Sequence, residues 1–339
     1  MKEDTRNIIG LFEETYLSEF AQLSKNTRGR SLPEEECTVR TSYQRDRDRI
    51  IHCESFRKLK GKSQVFIVKN DIFRTRLTHT LEVGQISRTI ARSLGLNEDL
   101  VEAIALGHDL GHTCFGHNGE EVLNKITNYF THNQQSLRVV DYLERNGEGL
   151  NLTFEVRDGI LNHTGPKDPI TMEGKLVKIV DRITYLCHDI QDSINAGILK
   201  HDDIPKGILE TLGESHSQRV NVFVKDIIGE TRKQLENNQE IKIYQSKTLY
   251  KIMMNLRSFM FDKVYNGKLC LEEKEKATYI VEFLFHYLMN KPEEIPSPYR
   301  RRIKKEDLKR VVVDYIASCT DYEAIKLFQK KVIPSPKYF

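Results

Sequence analysis

Helix-period apolar stripes run through most of this chain, and three of them carry imidazole or carboxylate side chains on the face that the stripe would bury. Leu77, Leu81 and Gly84 recur at helical spacing, and His79, Val83, Ile86 and Ile90 follow steps of four, three and four. The pattern should stop near Gly95, with Asn97 as the cap of the next helix. There Leu100, Val101, Ile104 and Ala105 keep the rhythm. His108 stands four residues after Ile104 and Asp109 four after Ala105, so the pair extends the buried face at the helix end. In a third helical stretch, 174–200, Asp181, Tyr185 and Asp189 are each four apart. They drift only ~80° around an ideal helix and therefore share a face.

Burying such groups is costly unless they are paired or bind a cation. Two histidines and two aspartates converging from three helices make a mixed nitrogen and oxygen set suited to a divalent metal, with positions open for water and substrate. A metal there would activate water or polarise phosphoryl oxygens. Taken singly, His79 reads more simply as a core histidine, Asp181 as a partner of Arg182 or Arg76, and Tyr185 as a core aromatic. The convergence of all three helices favours the metal.

The rest of the sequence sets bounds. With 339 residues the chain can bury a full core. A formal charge of +3 does not require a polyanionic partner. The six cysteines are scattered with no C-x-x-C pair, as reduced thiols would be. The first twenty residues lack the apolar run of a signal peptide, and no stretch approaches the roughly 18 apolar residues of a membrane span, so a cytoplasmic protein is expected. The fold class is mainly α, with one short N-terminal β-hairpin at 65–73 turning at Asn70-Asp71. A core over 1–200 and a helical C-terminal part over 201–339 packing on it, as one continuous domain, are expected. A Pro-rich, then basic, connection over 290–307 leads into a final helix at about 307–329.

The series His79, His108-Asp109, Asp181 reproduces the H…HD…D arrangement of the HD-domain metal-dependent phosphohydrolases. The surrounding segments "FRKLKGKSQVF", "RTRLTHTLEVGQISRTIARSLGLNEDLVEAIALGHDLGHTCFGHNGEEVLN", "THNQQSLRVV", "VRDGILNHTG" and "VDRITYLCHDIQDSINAGI" resemble the bacterial dGTPase-like deoxynucleoside triphosphate (dNTP) triphosphohydrolases. The resemblance implies an HD helical fold, hydrolysis of dNTPs at the α-phosphorus to deoxynucleoside and inorganic triphosphate, and a divalent metal. Mn²⁺ or Mg²⁺ is expected, with Fe, Co, Ni or Zn as alternatives. It makes His79, His108, Asp109 and Asp181 the metal ligands, and His117 with Glu120 the catalytic dyad. His112 and His132 would contact phosphates or assist leaving-group protonation.

On the same resemblance Tyr185 packs against the deoxyribose and Asp189 accepts from the 3′-hydroxyl, while Arg76, Arg182 and Arg257 serve the triphosphate. Lys60 stands where the family's sugar-reading Gln is expected, and "TDYEA" (320–324) lacks the Arg of the usual "TDRYA". A homo-oligomer, dimer-based and of the hexamer type in one form, is implied; single-stranded DNA and an allosteric dNTP at a second site stay open as further partners. Another HD-type nucleotide phosphatase or phosphodiesterase is the alternative enzyme. A single-stranded-DNA-binding protein with a secondary HD site is the alternative of another class, since "RSFMFDKVY" and "YRRRIKK" mix basic and aromatic residues.

Overall fold

The computed structural model describes residues 4–67, 72–237 and 239–334. Among them are sixteen α-helices and no β-strands. The β-hairpin is not seen. Residues 65–67 and 72–73 are irregular, and the expected turn lies outside the described residues. The nearest thing to pairing is a single antiparallel bridge, Ser63 with Thr75. Two isolated strands are marginal in water. Here Phe66 instead meets the edge of Phe73 at a ring distance of 6.0 Å, and both pack against the main helical core.

The helices follow their sequence signals closely. Arg76–Leu94 ends on Gly95 in the left-handed region (φ 67°), and Asn97 caps Glu98–Gly107 by accepting from the Asp99 and Leu100 amides. These two helices pack side by side. Met172–Asn195 crosses both, and Phe154–Asn162 closes over Met172–Asn195 and Glu98–Gly107. Ile86, Ile90, Leu100, Ile104, Val156, Ile160, Leu176 and Val180 fill the space between them, all buried. Each is worth roughly 1.5–3 kcal/mol of burial.

The final stretch forms two helices, Leu308–Ser318 and Asp321–Val332, broken at Cys319 where Thr320 caps the second through a reciprocal pair with Glu323. Together with Lys268–Asn290 they build a second apolar cluster. Cys114, Phe115, Val122, Leu123 and Phe130 join it from beside the His-rich segment. Among the described residues no helix is long and apolar enough to cross a membrane.

Candidate active site

The His-Asp pair sits in a turn that helix geometry alone would not hold. Glu98–Gly107 stops with His108 still in right-handed helical conformation, and the chain turns through Gly111. The Gly111 amide donates to Ser136 Oγ (2.8 Å), and that hydroxyl donates to the His108 carbonyl (2.6 Å). The approach leaves no room for a side chain, because a Cβ on Gly111 would lie 2.0 Å from the Ser136 nitrogen.

His108 is fully buried, and its Nδ1 lies 2.6 Å from the Ala105 carbonyl. A carbonyl only accepts, so Nδ1 carries the proton and Nε2 presents a lone pair. That Nε2 finds no hydrogen-bond partner; it faces Asp109 Oδ1 at 3.4 Å and Asp181 Oδ1 at 3.8 Å. His79 Nε2 lies 3.0 Å from the same Asp181 oxygen. One ligand atom from each of His79, His108 and Asp181 falls within 4.8 Å of the others. A buried lone pair aimed at carboxylate oxygens is repulsive unless a cation stands between them, so these residues fit a divalent metal.

The outer contacts support the same reading. For Nε2 of His79 to bind a metal, its Nδ1 must donate. The acceptor 2.9 Å away is Nε2 of His188, whose own Nδ1 is 2.8 Å from Asp189 Oδ1. Asp109 Oδ2 accepts from Arg76 Nη1 (2.8 Å), while the remaining donors of this buried Arg76, Nε and Nη2, are unpartnered.

Beside this cluster stands a second one. Glu120 Oε2 lies 3.1 Å from His117 Nδ1, and both its oxygens lie about 3 Å from His132 Nδ1. His132 Nε2 is 3.2 Å from His163 Nε2, and His163 Nδ1 is tied to the Ile160 carbonyl (2.7 Å). His163 therefore offers a lone pair, and His132 must donate from both nitrogens: it is an imidazolium. The electrostatics agree. Burial alone would depress His132, but the Glu120 carboxylate more than offsets it and the group is raised. Burial and the neighbouring His108 and His132 push His163 down to about 3, so it stays neutral. Glu120 loses solvation on burial, yet His132 and His117 hold its carboxyl far below the usual range. His112, buried beside Arg76 and stacked on His132 at 4.1 Å, is pushed well down and is neutral.

A cavity of about 400 Å³ joins the two clusters. Arg76, His79, Asp109, Asp181, His112, His117 and His132 line it, together with Tyr185, Asp189, Arg257, Phe261 and Tyr265. Tyr265 Oη donates to Asp189 Oδ2 (2.5 Å), and the Arg257 guanidinium lies over the Phe261 ring at 4.6 Å. Of the remaining residues singled out in sequence, Glu120 and His108 stand just behind the walls. Arg182 is half-buried and does not line the cavity, and Lys60 is exposed on the Leu59–Gly61 turn, away from it.

Three residues escaped the sequence reading. Gln64 lines the cavity with Oε1 buried and unpartnered. His188 and His163 complete the two hydrogen-bonded chains. Val156, Ile160 and His163 follow steps of four and three, and His188 follows Tyr185 by three, so the stripe spacing that exposed His79 carried both histidines as well.

The altered C-terminal motif braces the site from outside. Asp321 accepts from the amides of Phe115 (2.7 Å) and Ser63 (2.9 Å), and Tyr322 is exposed. "RSFMFDKVY" lines the cavity through Arg257, Phe261 and Tyr265, while Arg302 of "YRRRIKK" is held by Asp314 (2.7 Å).

Comparison with known proteins adds context to this geometry. An HD domain model matches residues 76–186, and a phosphohydrolase-associated domain model matches residues 243–330. A deoxyguanosinetriphosphate triphosphohydrolase-like protein of Caldanaerobacter subterraneus is 48% identical over 98% of this chain and 96% of its own length. One from Clostridium perfringens strain 13 is 48% identical over 97% of this chain and 98% of its own, and one from Desulfatibacillum aliphaticivorans 44% over 95% and 96%.

Proposed function

Since this chain belongs to the deoxyguanosinetriphosphate triphosphohydrolase-like family of HD-domain proteins, we propose that it hydrolyses dNTPs at the α-phosphorus, releasing a deoxynucleoside and intact inorganic triphosphate. The observation that carries this reading is the unpartnered Nε2 of His108 facing Asp109 and Asp181, just behind the wall of a cavity that holds cationic groups and a tyrosine–carboxylate pair. A divalent cation held by His79, His108, Asp109 and Asp181 would polarise a phosphoryl oxygen and acidify water at the reacting phosphorus.

The chain's own groups do the rest. Arg76 has two buried donors free for phosphate oxygens, and the charged His132 adds another cationic face to the same cavity. His117, its Nδ1 tied to Glu120, exchanges a proton at Nε2 with the attacking water or with the departing O5′. In the sugar subsite the Tyr185 ring crowds a 2′-hydroxyl, and Asp189 Oδ1 and Gln64 Oε1 are acceptors for the 3′-hydroxyl. Gln64 takes the part in sugar recognition that the sequence suggested for Lys60.

Phosphorus NMR of the products tests the reading. The protein is incubated with each dNTP, and with all four, in Mn²⁺ or Mg²⁺, beside an Asp181→Ala variant. Triphosphate that requires metal and is absent with the variant is the expected result. Pyrophosphate or phosphate as first product would transfer the chain to another kind of HD nucleotide hydrolase.

A further inference from the structure

One histidine ring separates the candidate metal ligands from the carboxylate placed at the sugar. His188 is fully buried on Met172–Asn195, two helical turns after Asp181 and next to Asp189. Its Nε2 is 2.9 Å from His79 Nδ1, with the two rings edge to face at 5.1 Å. On the other side its Nδ1 is 2.8 Å from Asp189 Oδ1, and neither of those buried atoms has another hydrogen-bond partner. Asp189 Oδ2 is already taken by Tyr265 Oη. The series therefore runs Asp181, His79, His188, Asp189, with a carboxylate at each end.

With both rings neutral, this series can hold its two protons in two ways. In one, His79 donates from Nε2 to Asp181 and accepts at Nδ1 from His188. His188 then turns a buried lone pair on Asp189 at 2.8 Å, which is repulsive. In the other, His188 donates from Nδ1 to Asp189 and accepts from His79 Nδ1, and His79 Nε2 is left with a lone pair. Only the second arrangement lets His79 bind a cation. For His108 the equivalent choice is made by the Ala105 carbonyl, which can only accept. The neighbour of His79 Nδ1 is an imidazole, which can donate or accept, so the choice passes one step further, to Asp189.

We infer that His188 is a positioning residue for the metal: with Asp189 behind it, it sets the proton on His79 Nδ1 and frees Nε2 for the cation. The inference rests on the metal site of the proposed function and deepens it. Asp189 thereby gains a task besides the sugar, and a change in the sugar subsite is felt at the metal before any nucleotide is present. Hydrogen-bond partners behind a ligating histidine are worth roughly ten- to a hundredfold in metal affinity.

The test is calorimetric binding of Mn²⁺, without nucleotide, to the wild type and three variants. His188→Phe keeps a ring that accepts nothing, His188→Gln restores an acceptor for His79 and a donor for Asp189, and Asp189→Leu keeps the shape of the carboxylate without its oxygens. Mn²⁺ affinity is expected to fall roughly ten- to a hundredfold in His188→Phe and in Asp189→Leu, and to return in large part in His188→Gln. Visible spectra of the Co²⁺-loaded proteins should agree, with wild type and His188→Gln alike and His188→Phe shifted. A folded His188→Phe that binds Mn²⁺ as the wild type does overturns the inference. So does a His188→Gln as weak as His188→Phe, because a loss that no acceptor restores is a packing effect. If His188→Phe does not fold, Asp189→Leu and His188→Gln decide, and wild-type affinity in Asp189→Leu overturns the inference. Affinity that depends on His188 in a protein that cleaves no dNTP would leave this inference standing and remove the proposed reaction alone.

Discussion

At the scale of single residues, the site works by fixing which nitrogen carries each proton. His108 and His163 are each locked by a carbonyl three residues back, and the lock decides what the other nitrogen can do. For His132 the consequence is a positive charge that Glu120 stabilises, raising its pKa. Replacing Glu120 by Gln should lower the His132 pKa, and any step needing the charged ring should then fail at lower pH. The alkaline limb of a kcat/KM profile is expected to move to lower pH in Glu120→Gln; a limb that stays in place would separate His132 from the rate. Gly111→Ala is the steric counterpart. Its methyl would collide with the backbone of Ser136, and about 1–3 kcal/mol of stability should be lost, seen as a lower Tm together with weaker activity.

At the scale of elements, most of the helical framework was legible because apolar spacing, Gly95 and Asn97 are local signals. The four ligand candidates were legible for a related reason, as polar interruptions of stripes. The hairpin was misread because an apolar run says only that side chains are buried. Phe66 and Phe73 are satisfied by helices and by each other, with no sheet required. Gln64 and Lys60 were confused because which residue of an irregular segment turns inward depends on its tertiary neighbours, and no period marks it.

The Met172–Asn195 helix carries a prediction of its own. Glu173, in its first turn, accepts from the Gln22 and Asn97 amides on one oxygen while the other is buried and unpartnered, and burial pushes its pKa up to about 6. The folded state therefore takes up this proton before the unfolded chain does. Its contribution to stability is fully present below about pH 4.5 and is lost as pH rises through about 6, on the order of 2 kcal/mol. Urea unfolding of wild type and Glu173→Gln across pH 4.5–7.5 should show the difference between them changing in that window.

At the scale of the whole molecule, the C-terminal helices are part of what aligns the site. Asp314, fully buried on Leu308–Ser318, binds Arg138 at 2.8 Å, Arg302 at 2.7 Å and Gln135 at 2.9 Å. Arg138 and Gln135 belong to His132–Arg138, the helix that begins with the charged histidine and abuts Gly111. Removing one member of such a buried set leaves the others uncompensated and costs about 3–5 kcal/mol. Asp314→Ala should lower Tm sharply and reduce turnover at temperatures where the variant remains folded, measured by calorimetry and product release.

Lys62 shows what this means for the chain as a modular object. Fully buried, with its pKa pushed down to about 8 by burial, its ammonium donates to the carbonyl of His112 and to that of Ala317 (2.8 Å). One cation thus ties the His-Asp turn to a helix from the far end of the sequence. A graft of residues 76–186 into another scaffold would carry all four ligand candidates. It would leave behind the ammonium under His112, the carboxylate that holds the Phe115 amide and the one that anchors Arg138. The ligands are portable, but their alignment is not.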